Sequence, residues 1–228
     1  METVSYIERR GQLETYFDRT AAEAWSRLTS DAPVSRIRAT VREGRDRMRG
    51  TLLSWLPDDM RGMRLLDAGC GTGMLALEAA KRGAEVTAID LSPTLVGLAR
   101  DRLPGTLKVD FRVGDMLDPA LGRFDHIVSM DSLIHYKAAD MVRALELLTD
   151  RTGSSVVFTF APSTKALMVM HAVGKLFPRG NRAPAIEPVR EASLRRLLTG
   201  LDGWKASRSE RIACGFYTSQ ALELVPHG

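Results

Sequence analysis

The sequence predicts an α/β fold: a doubly wound sheet of seven mostly parallel strands behind an N-terminal helical cap. Three observations carry that reading. From Met63 onward, short apolar runs alternate with helices of about ten residues, as in a parallel sheet covered on both faces. The segment Asp67-Ala68-Gly69-Cys70-Gly71-Thr72-Gly73 stands between the first apolar run and the first of those helices. No strand pattern precedes Met63, so the first part of the chain is set apart as helical.

Residues 1–50 form the expected cap, with Leu13, Tyr16, Phe17, Trp25 and Leu28 near helical spacing. Pro33 interrupts it, and Ser35 opens an arginine-rich helix with Val34, Ile37, Val41 and Met48 along one side. Residues 51–228 form the main domain. Its expected elements begin with a strand at 64–68, a helix at 74–82 and a strand at 85–90. A helix at 93–102 follows, opened by Ser92 as N-cap and Pro93 in the first turn. Strands at 106–113 and 124–130, a helix at 139–149 and a Val/Phe-rich strand at 154–160 continue the alternation. A helix at 164–177 and a proline-rich loop form an insertion near 163–190, before a helix at 191–198. Strands at 204–212 and 216–225 close the chain as a pair.

Composition narrows the function classes. With 44% hydrophobic and 26% charged residues, the 228-residue chain has the balance of a soluble globular domain. A net charge of +4 and a pI near 9.3 suit an anionic substrate or an acidic membrane surface, or simply a solvated face. They give no reason to expect a nucleic-acid partner. Cys70 and Cys214 lie far apart without a CxxC or histidine-rich neighbour, so neither a metal site nor a disulfide framework is expected. Residues 1–10 lack the apolar core of a signal peptide, and no run is long enough to span a bilayer. A cytoplasmic enzyme is the expectation.

The glycine segment carries the chemistry. Glycines at a strand-to-helix turn let the backbone bend tightly and approach a ligand closely. Turns need glycine anyway, so the loop gains meaning from Asp90, which ends the next strand where an acid can accept hydrogen bonds from ribose hydroxyls. The spacing is GxGxG rather than GxGxxG, and Asp67 stands two residues before the first glycine. An acid beside the loop would repel a pyrophosphate but favours a cofactor bearing sulfonium and ammonium charges. This pattern resembles the Rossmann-like class I methyltransferases, over roughly residues 63–160. The resemblance implies S-adenosylmethionine as cofactor and S-adenosylhomocysteine as product. It also implies a cofactor site of Asp67, Gly69, Gly71, Gly73, Asp90, Leu91 and Met130, with Asp115 on the adenine and Met116 beside the ring.

Asp131, Ser132, His135 and Tyr136 follow the fourth strand, at the end where ligands bind in doubly wound sheets. They are candidate acceptor-side residues, whereas His126 lies within the strand and reads as structural. A narrower resemblance comes from Gly122 to His126, Met130 to Tyr136, Phe158 to Pro162 and the long run Met170 to Ile186. These stretches are similar to the magnesium protoporphyrin IX O-methyltransferases of chlorophyll and bacteriochlorophyll synthesis. The cap departs from that family's pattern between Tyr16 and Trp25.

The resemblance implies methylation of a propionate of magnesium protoporphyrin IX. His135 and Tyr16 are the candidate catalytic residues, and Met170, Arg179 and Arg182 would contact the porphyrin. Arg36, Arg38 and Arg42 of the cap could meet its acidic edge. It also implies delivery by the large porphyrin-binding subunit of magnesium chelatase and peripheral contact with a photosynthetic membrane. Two other readings stay open on the residues alone: an O-methyltransferase for another small molecule such as a quinone precursor, and a cofactor-binding module without catalysis.

Overall fold

A computed structural model describes residues 3–20, 29, 35–163 and 185–227 of the chain. Seven strands form one sheet: β1 (Arg64–Ala68), β2 (Glu85–Asp90), β3 (Val109–Val113), β4 (Phe124–Ser129), β5 (Thr152–Phe160), β6 (Trp204–Cys214) and β7 (Tyr217–Pro226). Their order is β3-β2-β1-β4-β5-β7-β6. The pairs from β3 to β5 are parallel, while β7 runs antiparallel to both β5 and β6. The chain therefore reverses its winding between β1 and β4, which opens a crevice at the carboxyl ends of those strands.

Among the described residues six helices cover the sheet: α1 (Val4–Thr15), α2 (Arg36–Ser54), α3 (Met74–Lys81), α4 (Pro93–Asp101), α5 (Ala138–Thr149) and α6 (Glu191–Leu198). A π-helical turn, Tyr16–Thr20, follows α1. Strand residues alternate between two cores. Leu66, Ile127, Val156, Leu222 and Leu224 face α1, α5 and α6. Leu65, Val86, Val128, Val157 and Ala221 face α2, α3 and α4. Burying each such side chain contributes roughly 1.5–3 kcal/mol, so the two layers together hold the sheet.

Most elements lie where the sequence places them. β3 starts at Val109 rather than Thr106, because Pro104 and Gly105 form a turn closed by Leu107 N–H donating to the Pro104 carbonyl at 2.9 Å. α2 runs past the expected boundary at residue 50, and its Met48, Leu52 and Leu53 are buried in the second core. The expected helix at 164–177 falls outside the described residues. Among the described residues no helix is long and apolar enough to cross a membrane.

Helix α1 is fastened over the sheet's carboxyl edge by polar contacts. Thr3 and Ser5 donate to the buried Asp140 of α5, at 2.5 and 2.8 Å. Arg9 pairs with Glu187 at 3.0 Å. Asp18, in the turn after α1, accepts from the Thr94 hydroxyl at 2.7 Å and its N–H at 3.2 Å, satisfying donors at the start of α4.

Candidate active site

A cavity of about 280 Å³ lies over the β1/β4 crossover. Its floor is the glycine loop, in which Gly69, Gly71 and Gly73 all have left-handed backbones (φ 83°, 53° and 75°). Gly69 and Gly73 are needed for space as well. A Cβ on Gly69 would fall 2.4 Å from Ser132 Oγ, and one on Gly73 would fall 2.9 Å from the Phe111 ring. The loop can thus press against both the β4 exit and β3, as only glycine permits.

The acids organise this floor. Asp67 is 1% exposed and accepts the Ala76 N–H at 3.1 Å, within the first turn of α3. Burial, together with repulsion from Asp90, pushes its carboxyl up to about 7 despite that hydrogen bond. Asp90 accepts Gly71 N–H on one oxygen at 2.8 Å and Ser92 N–H on the other at 3.0 Å. Burial raises its pKa too. Each oxygen keeps a further lone pair, so Asp90 shapes the loop and can still accept from a ligand's hydroxyls. Between them, burial and the two acids raise the Cys70 thiol well above its ordinary value, which makes it a poor nucleophile.

Asp115, after β3, is gripped from the cap. Tyr6 Oη donates to its Oδ1 at 2.8 Å, Leu117 N–H to the same oxygen at 2.9 Å, and Arg10 to Oδ2 at 2.5 Å. One acceptor position remains on Oδ2. Tyr6 also stacks on Tyr136, with ring centroids 4.7 Å apart. Burial keeps both phenols protonated far above neutral pH.

Met130, Asp131, Ser132, His135 and Tyr136 also line the cavity, with Leu91 and Met116. His135 is 7% exposed, ends a 3-10 turn (Leu133–His135) and meets the Phe17 ring edge-on at 5.7 Å. Asp131 accepts from Tyr217, Ser219 and Thr159 and pairs with Arg45 of α2 at 2.5 Å. With four donors its carboxylate is occupied within the protein.

Of the residues singled out from sequence, the cavity gathers Asp67, Gly69, Gly71, Asp90, Leu91, Asp115, Met116, Met130, Asp131, Ser132, His135 and Tyr136. Gly73 lies just behind, as the left-handed N-cap of α3. Tyr16 is half-buried, edge-on to Phe17 at 5.2 Å, and it is Phe17 that reaches the wall. Arg36 and Arg38 are exposed, while Arg42 lines the cavity. Met170, Arg179 and Arg182 lie outside the described residues. His126 is buried, its Nδ1 2.8 Å from Ser155 Oγ, and burial lowers its pKa, so it is structural.

Sequence reasoning missed Tyr6, Arg45 and Arg49, which also line the wall. The signals were present as spacing. Tyr6 stands seven residues before Leu13 on the buried side of α1, and Arg42, Arg45 and Arg49 repeat along one face of α2.

The site fits S-adenosylmethionine. Asp67, Asp90 and Asp115 edge the cavity around the glycine loop and offer carboxylate oxygens to an ammonium, sugar hydroxyls and an adenine amino group, while Arg42, Arg45 and Arg49 line the side formed by α2. Comparison with known proteins agrees. Residues 129–226 match the family model described as the magnesium-protoporphyrin IX methyltransferase C-terminus, and residues 65–152 match a methyltransferase-domain model. The chain is 53% identical to the magnesium-protoporphyrin O-methyltransferase of Rhodobacter capsulatus, over 97% of this chain and 98% of that one. A magnesium protoporphyrin IX methyltransferase from Synechocystis PCC 6803, solved with bound SAH, superposes with a TM-score of 0.84 at 27% identity. That match covers 96% of this chain and 100% of the other. By contrast, a ubiquinone biosynthesis O-methyltransferase of Xanthomonas oryzae is 39% identical over only 54% of this chain and 55% of its own length. A likeness of 53% identity over nearly the full length of both chains shows the family: the chain belongs to the magnesium-protoporphyrin O-methyltransferase family and is a class I S-adenosylmethionine-dependent methyltransferase.

Proposed function

We propose that the protein transfers a methyl group from S-adenosylmethionine to one propionate of magnesium protoporphyrin IX, forming the monomethyl ester in bacteriochlorophyll biosynthesis. The observation that carries this reading is His135, a buried imidazole lining the same cavity as the glycine loop in a chain 53% identical to a magnesium-protoporphyrin O-methyltransferase. The magnesium belongs to the acceptor. Bound S-adenosylmethionine supplies an activated methyl group. Asp67 holds its ammonium, Asp90 accepts its ribose hydroxyls, and the remaining lone pair of Asp115 accepts the adenine amino group.

The acceptor needs no strong base. A propionate with an ordinary pKa near 4–5 is already ionised at neutral pH. The protein instead aligns the carboxylate oxygen with the methyl carbon and keeps water away, which can supply roughly 7–11 kcal/mol in favourable cases. In this account His135 orients the carboxylate. The Tyr16 hydroxyl is raised in pKa by burial, stays protonated, and serves as a donor from the cap rather than as a base. Met170, Arg179 and Arg182 would hold the macrocycle and its second propionate. Delivery by the large subunit of magnesium chelatase and contact with a photosynthetic membrane belong to the same proposal, supported by the net charge of +4 and the arginine-rich cap.

The test is kinetic. His135→Ala should lower kcat at saturating cofactor at least tenfold while S-adenosylhomocysteine still binds, and Tyr16→Phe should lower it less. Wild-type kcat should be flat between pH 7 and 9. A kcat that rises with pH as a base loses its proton, and no longer does so in His135→Ala, would point instead to a phenol acceptor and a true base.

A further inference from the structure

Asp131 is the only non-glycine residue with a left-handed backbone among the described residues (φ 54°). It stands where the chain leaves β4 and turns along the cavity. Its N–H donates to Thr159 Oγ1 of β5 at 2.7 Å. Its side chain accepts from Tyr217 and Ser219 of β7 at 3.0 and 3.2 Å, from Thr159 at 3.3 Å, and from Arg45 of α2 at 2.5 Å. Three separate elements thus converge on one buried carboxylate, and a strained backbone is retained where its surroundings determine it.

The residues after Asp131 take their positions from that turn. Ser132 is set against Gly69, close enough that no Cβ could stand there. The next three residues form the 3-10 turn that ends in His135, and the Ile134 carbonyl is fixed by Glu187 N–H at 2.9 Å. Asp131 cannot serve as a base or substrate ligand without giving up donors from its own fold. We propose that Asp131 is a positioning residue: its contacts with Arg45, Tyr217, Ser219 and Thr159 fix the left-handed turn that aims His135 at the acceptor. This inference rests on the role assigned to His135 in the proposed reaction.

Asp and Asn both tolerate a left-handed backbone, so Asp131→Asn removes the charge while leaving the turn accessible. A displacement of about 1 Å at a reacting group costs on the order of a hundredfold. Asp131→Asn should therefore lower kcat about 10- to 100-fold, with the Kd for S-adenosylhomocysteine within threefold of wild type. Tyr217→Phe should lower kcat in the same direction but less. The decisive readout is the combination with His135→Ala. If Asp131 acts through His135, the double variant should turn over within about threefold of His135→Ala alone, because residues that act as a unit are not additive.

Three results would overturn the inference. One is full kcat in Asp131→Asn while His135→Ala is impaired. Another is a loss that multiplies undiminished onto His135→Ala. The third is a raised KM for the porphyrin at unchanged kcat, which would make Asp131 a substrate contact after all. Unchanged turnover in His135→Ala would remove the role assigned to His135, and this inference with it, while leaving methyl transfer to the porphyrin standing. Should Asp131→Asn fail to fold by circular dichroism, Tyr217→Phe and Ser219→Ala in the same double-variant format decide between the two roles. Each removes one donor and leaves the carboxylate paired with Arg45.

Discussion

Replacing Asp67 by Asn should separate the cofactor's charge requirement from the stability of the empty site. Asp67 is buried, its hydrogen-bond partner is one backbone N–H, and its carboxyl is pushed up to about 7. In the unfolded chain the same group titrates near 3.9. Because the folded pKa is the higher one, the group favours folding below about pH 4. That contribution is lost as pH rises through 7. The full span is a few kcal/mol at 1.36 kcal/mol per pH unit.

An amide at this position can still accept the Ala76 N–H but carries no charge. Ligand-free Asp67→Asn should therefore melt higher than wild type at pH 8, by roughly 8–16 °C, if about 1 kcal/mol is worth 2–4 °C in a chain of this size. The gap should shrink to about a third of that at pH 5 and close below about pH 4. Cofactor binding should show the complementary trend. If only the ionised form of Asp67 binds the ammonium, the wild-type Kd for S-adenosylhomocysteine should weaken about tenfold per pH unit below 7. In Asp67→Asn the affinity should be weak and flat with pH. Thermal scans of dialysed protein and calorimetric titrations from pH 5 to 8.5 measure both. A melting gap that does not widen with pH, or a variant that keeps wild-type affinity, would refute the reasoning.

Further perturbations test other parts of the site. Gly69→Ala places a Cβ 2.4 Å from Ser132 Oγ on a backbone at φ 83°, so cofactor affinity should fall more than tenfold by calorimetry. Tyr6→Phe removes a donor to Asp115 and should destabilise the protein by about 1.5–3 kcal/mol in urea titration, with weaker S-adenosylhomocysteine binding. Asp18→Ala leaves donors at the start of α4 unsatisfied and should lower stability by about 1 kcal/mol, seen as a melting point lower by a few degrees.

The sequence reveals this protein where the deciding interactions are local. The strand–glycine–helix–strand–acid run reads directly, because Asp67, the three glycines and Asp90 lie within one winding unit and each has a short-range reason for its identity. The alternation of β1 to β5 with helices reads for the same cause. The boundary of β3 needed Pro104 and Gly105 to be weighed as a turn. The latches were invisible by pattern: Tyr6 meets Asp115 and Arg45 meets Asp131 across 109 and 86 residues of chain. No periodicity in either partner announces such a meeting. The same limit hides the surroundings of Asp131: its place after β4 does not announce that Tyr217, Ser219, Thr159 and Arg45 gather around it.

The central claim is methyl transfer to a porphyrin carboxylate, and one measurement addresses it most directly. Purified protein is incubated with methyl-labelled S-adenosylmethionine and magnesium protoporphyrin IX, and the porphyrin is extracted and treated with alkali. The account predicts a singly labelled porphyrin that surrenders its label as methanol on hydrolysis, and no labelling of an acceptor whose two propionates are already esterified. Label that survives alkali, equal labelling of the diester, or no labelled porphyrin from protein that binds S-adenosylhomocysteine would contradict it.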